Sequence, residues 1–143
     1  MPVRFQLVID CADPDRLARF WAAVLGYVLA PPPAGFATWD DYYRGLGVPE
    51  EELGVGEDRI SDPQGHRPDI WFQVVPETKA VKNRLHLDFR PDDRDASVAR
   101  LLDLGASRAE IGQGQQTWVV LTDPEGNEFC VLRSRDAGAV PSS

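Results

Sequence analysis

Hydrophobic and polar positions alternate from Val3 to Cys11, with Phe5, Leu7 and Ile9 on one side and Gln6, Val8 and Asp10 on the other. A period of two predicts a strand with one face for a core and a second, more polar face. Asp13-Pro14 follows, a good N-cap with proline at the first helical position. Leu17, Phe20, Trp21, Val24 and Leu25 then recur at helical spacing, and Gly26 ends the stripe as a left-handed cap would. The second half repeats the plan. Leu85, Leu87 and Phe89 alternate with His86, Asp88 and Arg90, predicting a strand over 84–90. Pro91-Asp92-Asp93 opens a helix with the stripe Val98, Leu101 and Leu102, closed by Leu104-Gly105.

Each half then carries an Asp-Pro-x-Gly turn. Asp62-Pro63-Gln64-Gly65 leads into a strand over 69–75, and Asp123-Pro124-Glu125-Gly126 into one over 128–132. In such a turn the Asp side chain accepts from its own backbone, Pro presets the first corner and Gly closes it. The Leu-Gly helix ends are offset by 79 residues and the two turns by 61. The first half therefore holds 18 extra residues, within the Pro- and Gly-rich stretch 30–57 that contains Trp39, Tyr42 and Tyr43. An internal duplication with one aromatic insertion is the main organisational feature. The modules run from about 3 to 76 and from about 84 to 134, in one domain spanning 1–143, and a Pro/Ser tail at 136–143 is expected to be disordered.

Composition changes this picture little. With 143 residues, 43% hydrophobic and 27% charged, the chain reads as an ordinary soluble domain. Against 15 Lys and Arg stand 23 Asp and Glu, a net charge of −8. That balance opposes nucleic acid and anionic membrane surfaces and favours a cationic ligand. The N-terminal residues show no basic cluster followed by an apolar run, and no apolar stretch approaches the ~20 residues of a membrane span, so the expected compartment is the cytoplasm. Cys11 and Cys130 fall on opposite faces of their strands by alternation and are expected to be free thiols.

Three segments carry a resemblance: Ile9-Asp10-Cys11-Ala12-Asp13-Pro14 with Phe20-Trp21 and Leu25-Gly26-Tyr27; then 81–88 with Leu85-His86-Leu87-Asp88; then 123–130, Asp-Pro-Glu-Gly-Asn-Glu-Phe-Cys. Together they resemble the vicinal oxygen chelate superfamily of glyoxalase, bleomycin-resistance and extradiol-dioxygenase proteins, and within it a glyoxalase-like subgroup common in actinobacteria. The resemblance spans residues 3–134. It implies an α+β fold in which paired βαβββ modules form a cupped mixed β-sheet with helices outside and a ligand cavity inside. It also implies a homodimer, which unpaired sheet edges would favour.

Metal-dependent members of that superfamily bind a divalent cation through His and Glu on the first and last strands of their modules. The matching positions here are Gln6, His86 and Cys130, with Gln73 near the place of a fourth ligand, and Glu128 on the face of Cys130. A neutral amide is a poor donor to a transition metal, and only His86 is a conventional ligand for the fold. The reading is therefore a small-molecule binder with no cofactor. A metal-dependent lyase, isomerase or dioxygenase-type enzyme centred on His86 is the alternative.

His86 and Asp88 share a strand face and are the candidate catalytic pair, His86 serving as ligand contact or general base with its pKa raised by Asp88. A plain cavity histidine bonded to a neighbouring strand explains the same pattern. Gln6, Asp10, Trp71, Gln73, Trp118, Glu128 and Cys130 are placed on the cavity face as candidate binding residues, with Trp39 in the insertion as lid. Amides, acids and indoles together suit a planar or aromatic ligand, although tryptophans also simply fill space. Lys79, Lys82 and Arg84 read as a solvated basic patch.

Overall fold

In the first half the chain runs through β1 (Leu7–Cys11), α1 (Pro14–Leu25), β2 (Val28–Leu29), α2 (Trp39–Gly45), a 3-10 turn at Glu50–Glu52, β3 (Arg59–Ser61) and β4 (Ile70–Val74). The second half runs through β5 (Asp88–Phe89), α3 (Arg94–Leu104), β6 (Ser107–Arg108), β7 (Val119–Thr122) and β8 (Glu128–Val131). This is a computed structural model, and it describes residues 2–54, 57–109 and 117–134. The expected disordered tail at 136–143 lies outside the described residues. The chain divides into two compact units, Met1–Glu77 and Thr78–Ser143. Each is βαβββ with its own four-stranded mixed sheet, in the order β1-β4-β3-β2 and β5-β8-β7-β6. The α+β reading and the duplication are thus present in one topology used twice.

The helix signals read from sequence are in place. Asp13 caps α1, accepting from Arg16 N–H at 3.2 Å, and Gly26 ends it in the left-handed region at φ 69°. Asp93 caps α3, accepting from Ala96 N–H at 3.0 Å, and Gly105 ends it at φ 118°. Each cap satisfies an N–H that the first turn leaves without a helical partner. Leu17, Ala18, Phe20 and Trp21 bury the inner face of α1 against the first sheet, while Val98 and Leu101 do so for α3.

Both Asp-Pro-x-Gly turns join the last two strands of their unit. The carboxylate of Asp62, with its side chain only 2% exposed, accepts from Gln64, His66 and Arg67 N–H and from Arg67 Nε at 3.2 Å. The Arg67 guanidinium and these N–H groups hold its carboxyl well below the usual carboxylate range. Asp123 does the same work in the second turn, accepting from Glu125 N–H at 2.9 Å and Asn127 N–H at 3.0 Å.

Two strands are shorter than their alternation predicts. β1 starts at Leu7 rather than Val3, and Val3 and Phe5 are exposed. Its partner β4 is parallel to it, with Leu7 paired to Ile70, so in that ladder earlier residues find no neighbour beyond the Leu7 N–H to Asp69 C=O bond. β5 covers only Asp88–Phe89 of the expected 84–90. There the chain near Asn83 donates its N–H to the Glu128 side chain at 3.0 Å instead of entering the ladder, and Leu85, expected in the core, is 85% exposed. Among the described residues no helix is long and apolar enough to cross a membrane.

Candidate functional site

In the second unit β5 lies parallel to β8 with Asp88 opposite Cys130, and β7 lies antiparallel to β8 with Val120 opposite Cys130. Alternation sends Phe89, Phe129, Leu121 and Val131 inward, and Asp88, Cys130 and Val120 to the other face. That face forms a concavity of about 330 Å³ lined by the polar side chains of Lys82, His86, Asp88, Glu128 and Cys130 and the apolar ones of Trp118, Val120 and Leu132, so Lys82 belongs to the pocket lining rather than to a solvated patch. Five of the expected binding or catalytic positions, His86, Asp88, Trp118, Glu128 and Cys130, therefore line one pocket.

His86 Nε2 stands 3.4 Å from Asp88 Oδ1, both side chains about half exposed. A ligand atom from each of His86, Asp88 and Cys130 lies within 4.8 Å of the others. Burial pushes the Cys130 thiol above its ordinary value, and the negative charge and hydrogen bonding of Asp88 push it further. A thiol so placed stays protonated and is a weak nucleophile near neutral pH. Cys11 is buried, and neither it nor Cys130 forms a disulfide.

Glu128 is tethered. Burial alone would raise its carboxyl, but the Asn83 N–H and Lys79 Nζ bonds outweigh it and leave the group below its ordinary value. Lys79, read as part of a solvated patch, instead pairs with Glu128 at 3.0 Å and donates to the Val81 carbonyl. The two partners fix the loop before β5 to the start of β8.

Gln6, Asp10, Trp39, Trp71 and Gln73 lie in the first unit. Val8 pairs with Trp71 and Asp10 with Gln73 across β1 and β4, and β3 sets Arg59 opposite Trp71. By register, then, Trp71 takes in the first sheet the place of Cys130 in the second, whereas the resemblance had put Gln73 near the place of a fourth ligand. Sequence reasoning missed Arg59. Its guanidinium carbon lies 4.7 Å from the Trp39 ring centroid and 5.1 Å from that of Trp71, and Nη2 donates to Tyr43 Oη at 2.6 Å. The insertion is therefore anchored on β3: Trp39 also donates to the Ala30 carbonyl at 2.9 Å, Tyr42 and Tyr43 pack against its ring, and Phe36 packs on Tyr42. The available signal was that Arg59 and Ser61 flank buried Ile60 at period two just before the Asp62 turn.

A duplicated βαβββ unit with a polar pocket on one sheet face defines a class of protein, and the sequence agrees. Residues 6–132 match the profile of the glyoxalase-like domain, and the chain belongs to that family. Its fold is similar to a glyoxalase/bleomycin resistance protein/dioxygenase family enzyme from Burkholderia phytofirmans, at 18% identity over 90% of this chain and 95% of that one, TM-score 0.54. It is similar also to the fosfomycin resistance protein FosX from Mesorhizobium loti, at 12% identity over 98% and 94%, TM-score 0.56. A possible glyoxalase from Bacillus cereus aligns at 14% identity over 91% and 97%, TM-score 0.55. These likenesses share the fold. No curated protein matches the sequence.

Proposed function

We propose that this glyoxalase-like protein binds a small organic molecule in the pocket of its second unit, holding it by side chains rather than through the His and Glu metal set of its superfamily. The observation that carries the reading is the mixed lining of the pocket, where Lys82, His86, Asp88, Glu128 and Cys130 meet Trp118, Val120 and Leu132. Apolar walls with a few convergent polar groups are what orient a small amphipathic ligand. Ligand entry against Trp118 changes its fluorescence and raises the melting temperature. A thermal-shift screen with cationic and aromatic metabolites, repeated with Trp118→Ala, tests this. No stabilising compound, or equal stabilisation of wild type and variant, would overturn it.

The second reading is a metal-dependent enzyme, favoured by the three donor atoms within 4.8 Å. Imidazole, carboxylate and thiolate suit Zn²⁺ or Co²⁺, which would polarise a bound carbonyl or lower the pKa of water. His86, Asp88 and Cys130 would hold the ion, and its entry must displace the thiol proton that burial and Asp88 retain. Added Co²⁺ gives a thiolate charge-transfer absorption that Cys130→Ser abolishes under this reading. Stoichiometric metal in purified protein, lost in His86→Ala, would replace the metal-free proposal. The proposal includes a cytoplasmic homodimer, and a monomeric mass by light scattering removes the dimer.

A further inference from the structure

Arg59 in the first unit stacks near two indoles and leaves a donor unused. The guanidinium carbon lies close to the ring centroids of both Trp39 and Trp71, and Nη2 donates to Tyr43. Nε is buried without a hydrogen-bond partner, and among the described residues no carboxylate forms an ion pair with this arginine. An arginine used as structural glue ordinarily spends its in-plane donors on carboxylates or carbonyls. The adjacent Asp58, itself buried, accepts instead from Trp71 Nε1 at 3.0 Å. The acids around the cavity on that side are engaged as well, Glu57 by Arg19 and Asp40 by Gly54 N–H.

A second cavity, of about 300 Å³, places Arg59 with Gln6, Pro31, Trp39, Ser61 and Asp69. We infer that this cavity is a subsite for the carboxylate of a small aromatic or aliphatic monoacid, bound by the donors of Arg59 with Gln6 and Ser61 beside it. The charge of Arg59 also means that the aromatic cluster Trp39–Tyr43–Trp71 already holds a cation of the chain's own. A cationic ligand would have to expel it, whereas an anion is attracted to it. Asp69 at the same cavity repels a second negative charge, so monoanions are selected over dianions.

Benzoate is the probe, titrated calorimetrically into the full chain. Wild type binds it saturably, and terephthalate, with a second carboxylate on the same ring, binds more weakly. Arg59→Met weakens benzoate about tenfold or more, the equivalent of about 1.4 kcal/mol. Should that variant lose its native far-ultraviolet dichroism, Arg59→Lys serves: it keeps the charge, loses the planar pair of donors and also weakens binding. Trp118→Ala, in the other unit, leaves benzoate affinity unchanged, which separates this subsite from the pocket proposed above. The inference is overturned if wild type shows no saturable benzoate binding, if folded Arg59→Met binds as well as wild type, or if terephthalate binds equally. Choline binding that appears on loss of Arg59 without any for benzoate in wild type overturns it too, marking Arg59 as a plug in a cation cage.

Discussion

The row Val8–Trp71–Arg59 in the first sheet and the row Asp88–Cys130–Val120 in the second occupy corresponding places, each crossing the same three strands of one repeated topology. One row reads apolar, indole, cation, and its Arg59 lies against Trp39 and Tyr43 of α2. The other reads acid, thiol, apolar and faces an open pocket with half-exposed His86. The inward neighbours barely differ in kind: Ile9, Phe72 and Ile60 in one unit, Phe89, Val131 and Leu121 in the other. Packing constrains the inward positions, because a core filled at crystal density feels each methylene. The outward positions answer only to a ligand or a covering segment, and there the two halves have diverged.

The comparison breaks most readily at the core. Phe72→Ala and Phe129→Ala each remove a ring that is at most 1% exposed and should each cost about 3–5 kcal/mol of unfolding free energy in urea. A loss in one variant well under half that in the other would show that the units do not contribute alike. Next come the twin caps: Asp13→Ala and Asp93→Ala should each cost about 1 kcal/mol, and a neutral result for either would break the equivalence of α1 and α3.

The outward faces give smaller effects. Asp88 helps push the Cys130 thiol up, so Asp88→Asn lowers it and exposes more thiolate at a given pH. Alkylation of Cys130 by iodoacetamide in mild alkali should then be severalfold faster in the variant, with buried Cys11 unmodified as the internal reference. An unchanged rate would mean that the Asp88–Cys130 coupling is absent. Smallest is the acid arm. The Glu128 carboxyl lies below its ordinary value when folded, so its stabilisation is present above that value and lost as pH falls through the folded one. Wild type should therefore lose more melting temperature than Glu128→Gln between neutral buffer and buffer well below the ordinary glutamate value, and equal losses would mean that the Lys79 and Asn83 tether is not formed.

Much of the backbone plan was legible residue by residue. Asp13-Pro14, Gly26, Asp93 and Gly105 mark helix ends because capping is a local matter of a side-chain oxygen and one permitted φ. The Asp62 and Asp123 turns are legible for the same reason. Strand length was not. Val3, Phe5 and Leu85 alternate correctly yet stay exposed, since a strand extends only as far as its partner does.

The candidate site divides along the same line. His86, Asp88, Glu128, Cys130 and Trp118 were placed on the cavity face by period two within each strand together with the family resemblance, and the structure puts them around one pocket. Period two carries no information about register, however, so Gln73 was placed only near a fourth ligand position, and the ladder sets Trp71 as the counterpart of Cys130. Arg59 was invisible until β3 set it opposite Trp71 and the insertion brought the Trp39 ring centroid within 4.7 Å of its guanidinium carbon. Local chemistry is written in neighbours along the chain, so order of elements, caps, turns and duplication could be read there. Which charge meets which ring, and which acid is tethered by which lysine, depends on pairing residues 12 to 49 positions apart. Only the folded sheets decide that.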